Sequence, residues 1–238
     1  MSDQDRLKRM WAEGKLTRRE FLAGCSALGI TAGLSPLLFN SSALAGTPRS
    51  GGTFKLGMAG GSTSDSLDPM TFTDVMMQMT SMGLLRNCLV EQDYKGNAIP
   101  ELAEKWEPSA DAKKWVFTLR KGVEFHNGKT MDADDVIFSI DYHRGEKSKS
   151  PIKALVKIID EIKKIDAYTV SFNLKSASAD FPYVLASTRL PVVPADTNDF
   201  NKGVGTGGYI LESFEPGVRL MARKNPNYWK QGRAHFDS

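Results

Sequence analysis

Two short stretches of small residues carry the groups best suited to holding a ligand. Glycine lets a backbone approach a bound molecule closely, and serine and threonine add hydroxyl groups that both donate and accept hydrogen bonds. The same composition also marks ordinary surface loops, so these residues are candidates and do not by themselves define a site. The candidates are Gly61, Ser62, Thr63, Ser64, Asp65, Gly205, Thr206 and Gly207.

Residue types that catalyse reactions or bind metals occur without the spacing that either role needs. His126 precedes an Asn-Gly turn at 127–128, and His143 and His235 stand far apart in charged surroundings. The sequence contains no Gly-x-Ser-x-Gly motif, phosphate-binding loop or dinucleotide fingerprint. It therefore predicts no catalytic residue, no metal ligand and no cofactor. A nucleophile and a base that meet only in space would leave no such pattern.

Composition excludes other classes of protein. The 238 residues include 31 basic and 28 acidic side chains, for a net charge of +3. A charge this balanced creates little field, so it does not support nucleic-acid binding. Two cysteines do not make a disulfide framework, and the position of Cys88 among leucines predicts a buried thiol.

Alternating apolar residues predict a strand directly before the first candidate stretch. Phe54, Leu56 and Met58 alternate with smaller or polar residues, which predicts a strand over 53–59. The glycines and serines of residues 60–66 then predict a loop that leaves the carboxyl end of this strand. In α/β folds, ligands bind at the carboxyl ends of the strands.

Other elements predict a mixed fold. Helical spacing predicts a helix over 73–86, whose methionines fill the core, and alternation predicts half-buried strands over 115–120 and 170–174. Asp132 begins an acidic run that ends at Asp135, and this pattern predicts a helix N-cap better than a calcium loop. The fold class is α/β in the mixed α+β sense, with an antiparallel contribution.

Residues 1–45 are predicted to be an export signal. A basic leader precedes Arg18 and Arg19, which lie in a segment that resembles the twin-arginine consensus. The apolar run that follows is diluted by glycine and proline, so it predicts a cleaved signal and not a membrane anchor. Ala43 and Ala45 supply the small residues that a signal peptidase needs, and we expect cleavage after Ala45.

Residues 22–25 spell a lipobox, which would make Cys25 the lipidated first residue of a lipoprotein. A lipobox ends a hydrophobic region, whereas here the apolar run continues past the cysteine. Cys25 is therefore interpreted as a small residue inside the signal.

Several segments of the remaining chain together resemble one family. They are residues 67–69, 101–107, 115–128, 132–136, 205–209 and 225–229. In this order they are similar to the signature of bacterial solute-binding protein family 5, the exported receptors of peptide, oligopeptide and nickel ABC importers. Gly208 departs from the pattern, because the family more often has proline before the tyrosine.

The resemblance implies a periplasmic binding protein-like fold with two lobes around a ligand cleft and a small domain attached to the first lobe. It implies that residues 46–66 begin lobe I, that 67–188 form the attached domain and that 189–238 return to lobe I. Lobe II would be missing. We expect residues 61–65 and 205–207 to line the cleft.

The resemblance also implies a function without catalysis. The chain would be the periplasmic component of an ABC importer, and it would capture a peptide or similar small solute and deliver it to the membrane permease. The twin-arginine translocase would be its partner during export. Two alternatives stay open, namely a twin-arginine-exported enzyme with a cofactor and a nickel or haem-chelate receptor of the same family.

Overall fold

The computed structural model describes residues 3–13, 15–16, 20–21, 23–24, 50–146 and 148–238. The chain divides into two compact units, residues 1–49 and residues 50–238. The predicted signal residues Arg18, Arg19, Ala43 and Ala45, and also Cys25, lie outside the described residues. Within the described ranges, no helix has the length and apolar character needed to cross a membrane.

The described residues of the first unit include helix α1 (Asp3–Ala12) and a small apolar cluster. Helix α1 begins with acidic residues, which complement the positive end of the helix dipole. Phe21 is buried against Leu7, Trp11 and Leu16. The rings of Trp11 and Phe21 stack with their centroids 4.7 Å apart. The cluster thus gives this short segment a packed apolar interior.

In the described part of the second unit, eight strands form one four-stranded sheet and two hairpins. The strands are β1 (Val90–Gln92), β2 (Ala98–Pro100), β3 (Ala103–Pro108), β4 (Lys114–Leu119), β5 (Ile159–Asp166), β6 (Thr169–Leu174), β7 (Tyr209–Glu215) and β8 (Arg219–Lys224). The large sheet has the order β3-β4-β6-β5, and every neighbouring pair is antiparallel. Strands β1 and β2 form one antiparallel hairpin, and β7 and β8 form the other.

Strand β4 carries the centre of the hydrophobic core. Trp115, Phe117 and Leu119 are buried on one face of the strand, and the residues between them are only partly buried. The ring of Phe117 meets those of Phe172 and Phe181 edge-on, with centroids 5.4 and 6.2 Å away. The strands predicted over 115–120 and 170–174 are confirmed. The second strand is not half-buried as predicted, because Ser171 is buried as well as Val170 and Phe172.

Helix α3 (Ala133–Arg144) covers the four-stranded sheet and packs against β5 and β6. Asp132 caps it, because the Asp132 carboxylate accepts a 2.9 Å hydrogen bond from the Asp134 N–H. The Asp135 carboxylate accepts one of the same length from the Asp132 N–H, which completes a capping box. The predicted cap is confirmed. The helices of this unit are α2 (Val75–Met79), α3 (Ala133–Arg144), α4 (Lys153–Val156) and α5 (Phe181–Leu185).

His143, near the end of α3, is buried and not in the charged surroundings that the sequence indicated. Only 1% of it is exposed, and its Nδ1 lies 2.7 Å from the Ser150 hydroxyl. Burial lowers the pKa of His143 to about 4, against a weaker opposing effect of Asp68. The folded protein therefore holds this imidazole neutral at physiological pH.

We expect His143 to make the protein less stable in mild acid. The unfolded chain protonates this residue near its ordinary pKa of 6.5, and the folded chain does so near 4. Between these values the unfolded state binds more protons than the folded state. Lowering the pH through this range therefore lowers the free energy of unfolding, by roughly 3 kcal/mol in total. Urea unfolding at a series of pH values measures this, and His143→Gln should flatten the profile in that window. An equal slope in both proteins would contradict the prediction.

A second cluster lies under the β7–β8 hairpin. Leu67, Phe72, Met77 and Leu85 are buried there, and apolar residues of the hairpin pack against them. The cluster therefore joins the segment that follows the 61–65 loop to the last hairpin of the chain.

The helix predicted over 73–86 is wrong in its length and in its buried face. Helix α2 ends at Met79, and a π-type turn (Thr80–Leu84) follows, in which Met82 and Gly83 leave helical backbone geometry. The methionines were predicted to fill the core, but Met82 is 61% exposed, whereas Met77 is buried. The turn rotates the chain away from the helical register on which the prediction relied.

The strand predicted over 53–59 is not formed, because only its first residues have a neighbouring backbone to pair with. The broader prediction of a mixed α+β fold is confirmed by the elements above. The predicted boundaries at 66/67 and 188/189 stay a prediction.

Candidate functional site

The 61–65 loop is exposed and closed by its own hydrogen bonds. The Asp65 carboxylate accepts from the Ser62 N–H at 2.8 Å, and the Asp65 N–H donates to the Ser62 carbonyl at 3.0 Å. The hydroxyls of Ser62 and Ser64 lie 2.9 Å apart. In residues 50–146 and 148–238, the N–H groups of Gly61 and Thr63 have no hydrogen-bond acceptor. The internal hydrogen bonds of the loop therefore leave two of its backbone donors unpaired.

The tip of the β7–β8 hairpin supports this loop from the side. Gly217, which has a positive φ of 74°, packs directly on the loop backbone. A Cβ at this position would lie 2.8 Å from the carbonyl carbon of Ser62 and 2.9 Å from the nitrogen of Thr63. A larger residue here would therefore displace the loop.

The 205–207 turn is buried, unlike the 61–65 loop. A Cβ added to Gly205 would lie 2.2 Å from the Leu85 carbonyl oxygen, and one added to Gly207 would lie 2.3 Å from that of Leu84. The Gly207 N–H donates to the Leu85 carbonyl at 2.9 Å. These glycines let two backbones meet, so the structure gives them a packing role. Contact with a ligand stays a prediction for them.

Thr206 belongs to a buried polar network. Its hydroxyl donates to the Asn87 side-chain oxygen at 3.0 Å, and the Asn87 amide donates to the Glu101 carboxylate at 2.6 Å. Lys230 lies 3.3 Å from Glu101 and supplies an opposite charge. Burial nevertheless raises the pKa of Glu101. Thr206 is inaccessible to solvent, so in the described chain its hydroxyl is used internally.

His126 holds the 205–207 turn from the other side. Its backbone N–H donates to the Gly205 carbonyl at 2.9 Å, and its ring Nε2 lies 3.0 Å from the Gly207 carbonyl oxygen. A carbonyl only accepts, so Nε2 carries the proton in this contact. Burial lowers the pKa of His126, which favours the neutral ring. The sequence placed His126 beside a turn but gave no sign of this long-range contact.

Arg86 connects the two candidate segments. Its guanidinium is buried and donates to the carbonyls of Leu67, Phe200 and Val204, at 2.6, 2.9 and 3.2 Å. Leu67 follows the 61–65 loop, and Val204 precedes the 205–207 turn. Burial lowers the pKa of Arg86 to about 10, so it stays charged near neutral pH. Sequence reasoning missed this residue, because nothing local marks an arginine that binds distant carbonyls.

Cys88, His126 and His143 each make internal hydrogen bonds. No group of three or more His, Cys, Asp or Glu side chains that could hold a metal ion occurs in the part of the chain that the structure describes. Cys88 is buried, as the sequence predicted, and burial raises the pKa of its thiol. Contact between the 61–65 loop and a ligand stays a prediction.

Comparison with known proteins identifies the family of this chain. Residues 97–238 match the profile of the bacterial extracellular solute-binding proteins, family 5 Middle. The dipeptide-binding protein of Escherichia coli (strain K12) is 32% identical over 195 residues, which are 69% of this chain and 36% of that protein. The chain spans 44% of the di/tripeptide-binding protein 1 of Pseudomonas aeruginosa (strain UCBPP-PA14). It thus matches less than half the length of these relatives.

Solved structures show the same fold. The periplasmic binding protein DppA of Helicobacter pylori, in complex with the peptide STSA, has a TM-score of 0.69 at 28% identity, over 80% of this chain and 42% of that one. A nickel ABC transporter structure from Bacillus halodurans has a TM-score of 0.62 at 33% identity, over 71% of this chain and 34% of that one. The predicted periplasmic binding protein-like fold is therefore confirmed.

Proposed function

We propose, because this chain belongs to family 5 of the bacterial extracellular solute-binding proteins, that it takes part in capturing a peptide or similar small solute for an ABC importer. It would act in the periplasm and pass the solute to the permease subunits, without catalysing a reaction. The observation that carries the proposal is the 61–65 loop, in which the Gly61 and Thr63 N–H groups have no acceptor within residues 50–146 and 148–238. Backbone donors suit a peptide, since they recognise main-chain carbonyls of any sequence.

We further propose that this chain supplies one lobe and the attached domain of a two-lobe receptor. The curated relatives are more than twice as long as the part that this chain matches. Lobe closure would remove water from the ligand, so a single lobe loses most of the buried ligand area. The isolated chain should therefore bind a peptide only weakly.

Titration of the chain lacking residues 1–45 with the tetrapeptide Ser-Thr-Ser-Ala tests both proposals. We expect a millimolar dissociation constant and NMR amide shifts in the 61–65 loop, with none in the exposed turn at 93–97. Thr206 should not report binding, because it is already buried. No shifts in the 61–65 loop at about 10 mM peptide would remove this loop from the site, and a micromolar affinity would contradict the one-lobe proposal.

A matched pair of variants strengthens this test. Asp65→Ala removes the carboxylate that closes the 61–65 loop, and we expect it to weaken peptide binding several-fold. Asp93→Ala opens a comparable turn, in which the Asp93 carboxylate accepts from the Lys95 and Asn97 N–H groups. This control should leave binding unchanged. Equal effects of both variants would indicate a general loss of stability instead of a role in binding.

One alternative is favoured by a specific observation. The relative from Bacillus halodurans is a nickel ABC transporter protein, so a nickel chelate is a second candidate solute. The two candidate solutes can be distinguished by purifying the longer receptor from its native periplasm and identifying the released ligand by mass spectrometry. A peptide supports the first proposal, and a nickel complex replaces it with the second.

We also propose that the twin-arginine translocase exports the chain and that residues 1–45 are then removed. The support is the similarity of the segment around Arg18 and Arg19 to the consensus, and the small residues Ala43 and Ala45. The periplasmic setting of the relatives is consistent with export.

A further inference from the structure

The side chain of Asn201 binds the two residues that follow the 61–65 loop. Its oxygen accepts a hydrogen bond from the Leu67 N–H at 2.9 Å and another from the Ser66 hydroxyl at 3.1 Å. An amide nitrogen could not accept from a backbone N–H, so these contacts define the orientation of the side chain. Asn201 lies 134 residues from Leu67 in the sequence, so the contact joins distant parts of the chain.

The turn that carries Asn201 is closed without the side chain of this residue. The Asp199 carboxylate accepts from the Asn201 N–H at 3.0 Å, and the Gly203 N–H donates to the Phe200 carbonyl at 3.0 Å. Gly203 has a positive φ of 63° and ends the turn. The side-chain amide of Asn201 is therefore not needed to close the turn, and its oxygen serves the segment at 66–67.

Two other side chains hold this turn against the segment that follows the loop. The Arg86 guanidinium donates to the Leu67 carbonyl at 2.6 Å and to the Phe200 carbonyl at 2.9 Å. The Tyr142 hydroxyl donates to the Asp68 carboxylate at 3.0 Å, and the rings of Tyr142 and Phe200 have centroids 4.8 Å apart. Each of these side chains therefore spans the same two segments.

We propose that Asn201 is a positioning residue for the 61–65 loop, which it holds through the segment at 66–67. The inference rests on the proposed function, in which this loop donates backbone N–H groups to a solute. A loop that is already ordered loses less conformational entropy when a ligand binds, so its donors contribute more affinity. Gly217 supports the middle of the loop, and Asn201 holds the end at which the chain leaves it.

Two variants of the full chain, similar in size and shape at this position, test whether Asn201 holds the loop. Asn201→Leu keeps the shape of the side chain but removes the acceptor, whereas Asn201→Asp keeps an oxygen that can accept both hydrogen bonds. We expect the NMR order parameters of the Gly61 and Thr63 amides, measured without peptide, to fall from about 0.85 to about 0.6 in the leucine variant. The aspartate variant should keep the values of the unsubstituted chain.

Two controls distinguish the position of the loop from a general loss of stability. Lys202→Ala changes the next residue of the same turn and should leave the order parameters of the loop unchanged. Because Asn201 is exposed, the leucine variant should keep its melting temperature within a few degrees and the order parameters of the turn at 93–97 unchanged. Unchanged order parameters in the loop of the leucine variant would overturn the proposal. So would an equal fall in the leucine and aspartate variants, or a fall in the loop and at 93–97 alike.

Titration with the tetrapeptide Ser-Thr-Ser-Ala then connects the position of the loop to binding. The leucine variant of the full chain should bind this peptide several-fold more weakly than the unsubstituted chain, and the aspartate variant should restore the affinity. Equal affinities of the leucine variant and the unsubstituted chain would contradict the proposal. If the peptide shifts no loop amide in any of these proteins, the proposed function fails, whereas the order parameters still decide whether Asn201 positions the loop.

Discussion

Phe117→Ala lowers the free energy of unfolding by roughly 3 to 5 kcal/mol, the range measured for removing a buried aromatic ring. Phe117 is fully buried in the middle of β4. Its ring packs among those of Trp115, Phe172 and Phe181, with centroids 5.3 to 6.4 Å apart within this group of rings. The cavity left by the ring would be shared by two neighbouring strands and helix α5, which are too well packed to collapse into it.

Urea unfolding followed by circular dichroism measures this loss. Trp115→Ala should have a similar effect, since Trp115 lies on the same face of β4 and its indole N–H donates to the Ser178 carbonyl at 3.2 Å. Thr118→Ala on the other face provides the matched control, with a loss below about 1 kcal/mol. Similar melting temperatures for all three variants would show that the core does not depend on this face of β4.

For the proposed twin-arginine route, Arg18→Lys combined with Arg19→Lys should abolish export, because a twin-arginine signal is recognised by its arginine pair and not by positive charge alone. The substitution keeps both charges but loses the planar guanidinium groups, which bind carboxylates in a geometry that lysine does not reproduce. Cell fractionation followed by mass determination measures the result. The variant chain should stay in the cytoplasm with residues 1–45 attached.

The control is Arg6→Lys with Arg9→Lys, which makes the same chemical change elsewhere in the basic leader. Export and cleavage after Ala45 should persist in this protein. If the variant at Arg18 and Arg19 also reaches the periplasm and loses its first 45 residues, the chain uses another export route.

Sequence alone predicted the elements whose signal is local. The alternation at 115–120 and 170–174 holds because both strands have one face on the same core, and the Asp132 cap holds because its partners lie within three residues. The helix over 73–86 failed at Met82 and Gly83, where contacts with distant residues override helical spacing. Local patterns report local geometry, and tertiary packing decides the rest.

The same distinction between local signals and long-range contacts applies to the candidate site. Small residues mark both close backbone packing and close approach to a ligand, so the sequence could not distinguish the buried Gly205 and Gly207 from the exposed 61–65 loop. Arg86 and Asn87 reach residues more than a hundred positions away, at Val204 and Thr206. Such contacts leave no periodic signal.

The burial of Cys88 has a practical consequence for optical measurement. Without residues 1–45, the chain has this one thiol, and its raised pKa and lack of exposure keep it from reacting with maleimide dyes. A cysteine introduced at the exposed Thr63 would then be the sole labelling position, without any other substitution in the protein. If solute binds at the 61–65 loop as proposed, a fluorophore attached there should report its occupancy by a change in emission.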